Sequence, residues 1–363
     1  MNVMETVKHK GRGTQINPPN RFERLHVENL PVNNEPGNDE ELSERQIKTI
    51  FYKDDSKSVV SKNDSPDLYF NYSFNPFRGC EHGCIYCYAR PTHEYLGFSP
   101  GIDFETKIMI KKNSPALLEE FFNKKNFEPE IIMFSGNTDC YQPIERKLQL
   151  TRKCLEVCLK CGNHVSIITK NSLILRDIDI IIKLAEKNLA SVMLTITSLD
   201  NDLIRKMEPR TSIPERRLKA ISELSINKIP VGVMIAPVIP GLNDEEIPKI
   251  IREASLNGAA FAGYTILRLP YAVKDLFINW LNDEFPNRAN KVINRIKDIR
   301  GGKLNENEFG KRFRGDGEFA DAIRNLFQLS CRKYNLNHLK VELTTEHFKR
   351  PTDSQLDMFG DTV

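Results

Sequence analysis

The chain has 363 residues, 40% of them hydrophobic, and a formal charge of +3. That is enough apolar material for one large α/β barrel or for two domains, and a charge so near balance neither demands nor excludes a polyanionic partner. No basic-apolar-small leader stands at the Met1 end and no apolar run has the length of a bilayer span, so a soluble cytoplasmic protein without membrane attachment is expected, its eight cysteines free thiols rather than a disulfide scaffold.

Residues 1–60 are polar and broken by glycine and proline. They read either as a flexible N-terminal extension or as a segment whose Lys10, Arg12, Arg21 and Arg24 touch phosphate or close over a site. Over 61–285 short β-rich runs alternate with amphipathic helical patterns. Tyr69–Phe74, Ile131–Phe134, His164–Thr169, Ser191–Thr197, Val231–Ile235 and Gly263–Leu267 read as strands, with helical spacing near 115–125, 144–161, 173–188, 214–227 and 244–257. Lys107, Lys111 and Lys112 lie on a β-like stretch and read as a solvated edge. Alternating strand and helix imply right-handed βαβ units on a parallel sheet, and the six strand segments predict an incomplete (β/α)6 barrel or an open sheet. Residues 286–344 read as further helix and 345–363 as a polar tail.

Ligands of such folds sit at the carboxyl ends of the strands. The loop after the first strand holds Cys80, Cys84 and Cys87 at CxxxCxxC spacing, with Pro76, Gly79 and Gly83 keeping it from being a regular helix. A loop can curl three thiolates around one centre. Three are one short of the four that close an iron–sulfur or zinc site, which leaves a position for a substrate or cofactor. A zinc site completed by His82 or His93 uses the same residues, and with it the chain would be a metal-stabilised binding module rather than an enzyme. Cys154, Cys158 and Cys161 repeat the spacing within a helical pattern, where i and i+7 stand about 10 Å apart; they read as core thiols.

The Cys80-x-x-x-Cys84-x-Tyr86-Cys87 stretch resembles the signature of the radical S-adenosylmethionine (SAM) enzymes. Residues from about 70 to 270 are similar to the branch related to spore photoproduct lyase, through Asn75-Pro76-Phe77-Arg78-Gly79-Cys80, His93-Glu94-Tyr95-Leu96-Gly97, Asp139-x-Tyr141-Gln142-Pro143 and Glu208-Pro209-Arg210. The resemblance implies a partial TIM-type barrel, a [4Fe–4S] cluster on Cys80, Cys84 and Cys87, and S-adenosylmethionine cleaved to a 5′-deoxyadenosyl radical. It implies a reductant such as flavodoxin or ferredoxin. It places Tyr86 near the adenine, Ser135, Gly136 and Asn137 near the methionine amino group, Lys170 and Arg210 near the carboxylate, and Thr195, Thr197 and Ser198 near the ribose.

Cys140 and Tyr95 are candidate catalytic residues, with a buried spectator thiol and a loop-backbone contact as their respective alternatives. The hydrogen-returning cysteine of spore photoproduct lyases falls at Gly136 here, which argues against identity with that lyase. Gln355-Leu356-Asp357-Met358-Phe359 resembles the motif by which bacterial proteins dock on the sliding clamp, a polar anchor followed by two large apolar side chains. Together these point to damaged or modified nucleic acid as the substrate, with a peptide or small metabolite as the alternative.

Overall fold

Apolar β-branched runs and the patterns between them fold as two sheets with covering helices in the computed structural model, which describes residues 9–22, 47–338 and 342–351. The strands are β1 (Ile50–Lys53), β2 (Val60–Lys62), β3 (Tyr72–Phe74), β4 (Phe77–Arg78), β5 (Lys107–Ile110), β6 (Ile132–Phe134), β7 (Val165–Thr169), β8 (Ala190–Thr195), β9 (Val231–Val238) and β10 (Phe261–Ile266). Seven form one sheet in the order β10-β9-β8-β7-β6-β3-β2. Its six neighbours from β3 to β10 pair in parallel in chain order, and β2 adds antiparallel to β3.

Parallel neighbours need a crossover between them. Helices Ser114–Phe122, Leu150–Cys161, Ile178–Ala185, Pro214–Ile226 and Ile247–Leu256 supply it. Every residue of β6 and β8 is buried, as strands covered by helices require. This is the (β/α)6 arrangement that the alternation implies, and its six strands overlap the six expected segments.

Local differences have local causes. The pattern at 144–161 is two helices, Glu145–Leu148 and Leu150–Cys161, divided where Gln149 turns left-handed at φ 52°. The Glu145 carboxylate accepts the N–H groups of Leu150 and Thr151, which satisfies donors at the start of the second helix. The expected lysine edge is not one: β5 is the middle strand of the small sheet β1-β5-β4, and Lys111 is buried with Nζ on the Ser58 carbonyl at 3.0 Å. Lys107 instead pairs with Asp103.

Two apolar clusters result. The larger fills the space between sheet and helices and includes Cys140, Cys154, Cys158 and Cys161. The second lies at the carboxyl ends of the strands, where Ile85, Tyr86, Met207 and Leu267 pack against Val273, Phe277 and Val292 of helices Val273–Glu284 and Pro286–Asp298. Full burial of one such aliphatic or aromatic side chain contributes about 1.5–3 kcal/mol. Among the described residues no helix is long and apolar enough to cross a membrane. Arg24 and the Gln355–Phe359 motif lie outside the described residues.

Candidate active site

The cysteine loop follows β4 and stands at the carboxyl end of the parallel sheet. Gly83 takes φ 66°, and a Cβ there would come within 2.7 Å of Glu105 Oε2. Glycine is what lets the loop turn at this point. Cys80 and Cys84 are buried, and Cys87 is partly exposed at the open edge. Backbone bonds hold the loop: Cys80 N–H donates to Phe104 O at 2.9 Å and Ile85 N–H to Met207 O at 3.0 Å.

Beneath it, fully buried Arg90 donates to the Cys84 carbonyl from Nε and Nη2 at 3.1 and 3.0 Å. It pairs with fully buried Glu105 at 2.5 Å. Glu105 also accepts the N–H groups of Gly13 and Thr14 at 2.9 and 3.1 Å. Residues 9–22 therefore lie against the back of the loop. Their Arg12 donates to the Glu105 carbonyl and to Thr49, and Arg21 pairs with Glu94; these two guanidiniums bond to the protein rather than standing free for phosphate.

The loop after β6 is tied to this framework from both sides. Asn75 Oδ1 accepts the N–H groups of Asn137 and Thr138 at 2.9 and 3.3 Å, and Tyr88, next to Cys87, donates its hydroxyl to the Gly136 carbonyl. Ser135 takes the left-handed conformation at φ 74°, with its Oγ accepting from Cys140 N–H. Asp139 accepts from Thr169 Oγ1 and Lys170 N–H, each at 2.8 Å, and faces His82 Nδ1 at 3.4 Å.

Glu208 is the centre of the remaining polar groups. It is fully buried and accepts from the hydroxyls of Tyr86 and Thr197 and from Arg217 at 2.6 Å. Lys170 Nζ lies 5.8 Å from the Tyr86 ring centre and donates to Ala236 O at 3.3 Å. Tyr86, Lys170 and Thr197 are thus brought together around a carboxylate that belongs to the Glu208-Pro209-Arg210 motif. Arg217 carried no motif at all; its role depends on a helix packing it under the β8 end, where it also donates to Thr195 O.

Other expected residues go elsewhere. Arg210 faces Glu81 at 3.3 Å and Thr49 at 3.4 Å. Ser198 donates to Glu246, and the Thr195 side chain is buried. Cys140 is fully buried in the main core, and Tyr95 is 73% exposed with its ring tilted against Phe22, centroids 4.9 Å apart. Neither is positioned by a contact to the cysteine loop.

The donor set fits an open iron–sulfur cluster. Burial raises the pKa of Cys80, Cys84 and Cys87, and a metal bound there would displace their protons. Among the described residues no three His, Cys, Asp or Glu side chains are grouped for a single ion. His82 faces Asp139 and Asn171, and His93 donates from Nε2 to the Lys107 carbonyl at 2.9 Å.

Known proteins agree with this geometry. The family model for the radical SAM superfamily matches residues 74–254. An uncharacterised protein of Mycobacterium tuberculosis is 32% identical over 246 residues, 67% of this chain and 71% of that one. Another, from Methanocaldococcus jannaschii, is 33% identical over 175 residues, 48% of this chain and 63% of its own. The structure of spore photoproduct lyase complexed with dinucleoside spore photoproduct superposes with a TM-score of 0.55 at 16% identity, covering 78% of this chain and 79% of that one. The chain belongs to the radical SAM superfamily, and its fold is that of the spore photoproduct lyase branch.

Proposed function

We propose that this enzyme holds its [4Fe–4S] cluster on Cys80, Cys84 and Cys87 and removes a hydrogen atom from a damaged or modified nucleic acid. Radical SAM enzymes use such a cluster with S-adenosylmethionine and need a reductant; the flavodoxin or ferredoxin class would serve here. When bound and reduced by one electron, that pair would supply a 5′-deoxyadenosyl radical able to take a hydrogen atom from the substrate, with methionine and 5′-deoxyadenosine as the products.

The observation that carries the reading is the thiol-bearing loop at the carboxyl end of six parallel strands, with Cys87 at its exposed edge. Around it the chain's own groups position and exclude. Tyr86, with its hydroxyl fixed by Glu208, would flank an adenine, and Lys170, 5.8 Å from that ring centre, would suit the methionine carboxylate. The backbone at 135–137, held by Asn75 and Tyr88, offers a rigid edge for the amino group. Arg210, committed to Glu81, is not assigned to the carboxylate. Nucleic acid as the substrate class rests on the fold shared with a lyase whose structure contains a dinucleoside photoproduct.

Anaerobic turnover with S-adenosylmethionine, a chemical reductant and oligonucleotides carrying defined lesions tests this. The expected result is 5′-deoxyadenosine formed together with loss of one lesion. Formation of 5′-deoxyadenosine with every oligonucleotide unchanged would move the substrate to a peptide or small metabolite. A colourless, iron-free protein after anaerobic reconstitution would overturn the cluster assignment. Docking of Gln355–Phe359 on a sliding clamp would bring the enzyme to DNA, and deletion of 355–363 followed by clamp pull-down checks it.

A further inference from the structure

Arg268, Arg300 and Arg312 crowd together beyond the carboxyl end of β10. The Arg268 and Arg312 guanidiniums stand 5.0 and 4.8 Å from the centre of one ring, Phe313. Arg312 is neutralised by Asp67 at 2.6 Å. Arg300 is buried and donates to the carbonyls of Leu267, Lys311 and Arg312. Arg268 donates no hydrogen bond to a described residue, its buried Nε is without a partner, and the carboxylate that acts on it, Asp67, is already paired with Arg312.

A partly buried guanidinium that must share its counter-charge with a second arginine is costly unless an anion completes it. Its position says which anion. Arg268 lies over the Tyr88 ring at 5.6 Å, and Tyr88 directly follows Cys87 with its hydroxyl on the Gly136 carbonyl. This cation therefore shares the mouth of the barrel with the thiols. A planar fork matches two oxygens of a phosphodiester, and the neighbouring Tyr88, 46% exposed, is an aromatic side chain of the kind on which a base stacks.

We propose that Arg268 binds the phosphodiester of the substrate and that Tyr88 stacks a base beside it, presenting one unpaired nucleotide to the cluster. This rests on the nucleic-acid reading above and adds to it the residues that do the recognising. Binding of a labelled single-stranded oligonucleotide to the cluster-loaded enzyme, followed by fluorescence anisotropy across a salt series, tests it. Arg268→Gln is expected to weaken binding about tenfold and to lower the slope of log Kd against log salt by about one. Arg268→Lys is expected to keep the slope while recovering only part of the affinity, because it lacks the fork. Arg268→Met, which keeps the aliphatic stem between the rings, gives the same test if the glutamine variant does not retain iron. Wild-type affinity and slope in Arg268→Gln would overturn the assignment, as would weakened S-adenosylmethionine binding by calorimetry with oligonucleotide binding unchanged. A wild-type enzyme that binds no oligonucleotide at low salt would instead sink the nucleic-acid reading itself.

Discussion

Arg217 reaches Glu208 at 2.6 Å with both side chains fully buried. Burial opposes the charge on Glu208, but Arg217 and Lys170, with the hydroxyls of Thr197 and Tyr86, outweigh it and hold the carboxyl down at about 2 against an ordinary 4.5. A carboxyl depressed on folding contributes stability that is present above about 4.5 and is lost as pH falls toward about 2. Glu208→Gln is therefore expected to flatten the acid limb of unfolding stability in that window, measured by urea denaturation at a series of pH values. Removing either partner leaves the other charge buried and uncompensated, at about 3–5 kcal/mol. The double variant Glu208→Gln/Arg217→Met is expected to lose much less than the sum; additive losses would show that the two are not coupled. This centre was hardly legible in the sequence. The cysteines declare themselves because their ligand set is contiguous, whereas Glu208 stands beside Arg210 in the chain and pairs with Arg217, a partner chosen by helix packing. The family resemblance points to Arg210, which Glu81 holds.

The cysteine loop is an element built from three separated pieces of chain. Arg90 holds the Cys84 carbonyl, Glu105 holds Arg90, and the backbone of Gly13 and Thr14 holds Glu105. A Cβ on Gly13 would fall 1.6 Å from the Gly83 carbonyl oxygen, so even alanine there has to lift the segment from the loop. Glu105 would lose two buried donors, each unpaired group costing about 1–3 kcal/mol. Gly13→Ala is accordingly expected to keep the fold but lose iron to a chelator faster than wild type, followed as bleaching of the cluster absorbance under anaerobic conditions. An unchanged rate would mean that the segment does not brace the loop. Composition concealed this. A polar, glycine-rich stretch reads as a free arm when its contacts are backbone N–H groups bonded to a carboxylate more than ninety residues away. The small sheet was hidden for a related reason, since β1 pairs Ile50 with Lys107, a partner distant in the chain.

The barrel itself was legible throughout, because each parallel strand is a short apolar run bounded by turn residues and followed by a 3.6-period helix. How its mouth is supported was not. Ile85 and Tyr86 of the cysteine loop share an apolar cluster with Val273, Phe277 and Val292, so the helices Val273–Glu284 and Pro286–Asp298 pack on the loop rather than on the sheet alone. Helix Leu150–Cys161 belongs to the other cluster, with Cys154, Cys158 and Cys161 inside it. A ligand that binds only the folded loop stabilises whatever must be in place for the loop to form. Cluster loading should therefore raise amide protection unevenly across the molecule. Hydrogen exchange compared between iron-free and reconstituted protein is expected to slow in 80–90 and in 273–298, with 150–161 unchanged. Uniform slowing in all three would make the molecule one cooperative unit. Slowing confined to 80–90 would show that the helical pair stands without the cluster, and the loop would then be the only part of the fold that the metal completes.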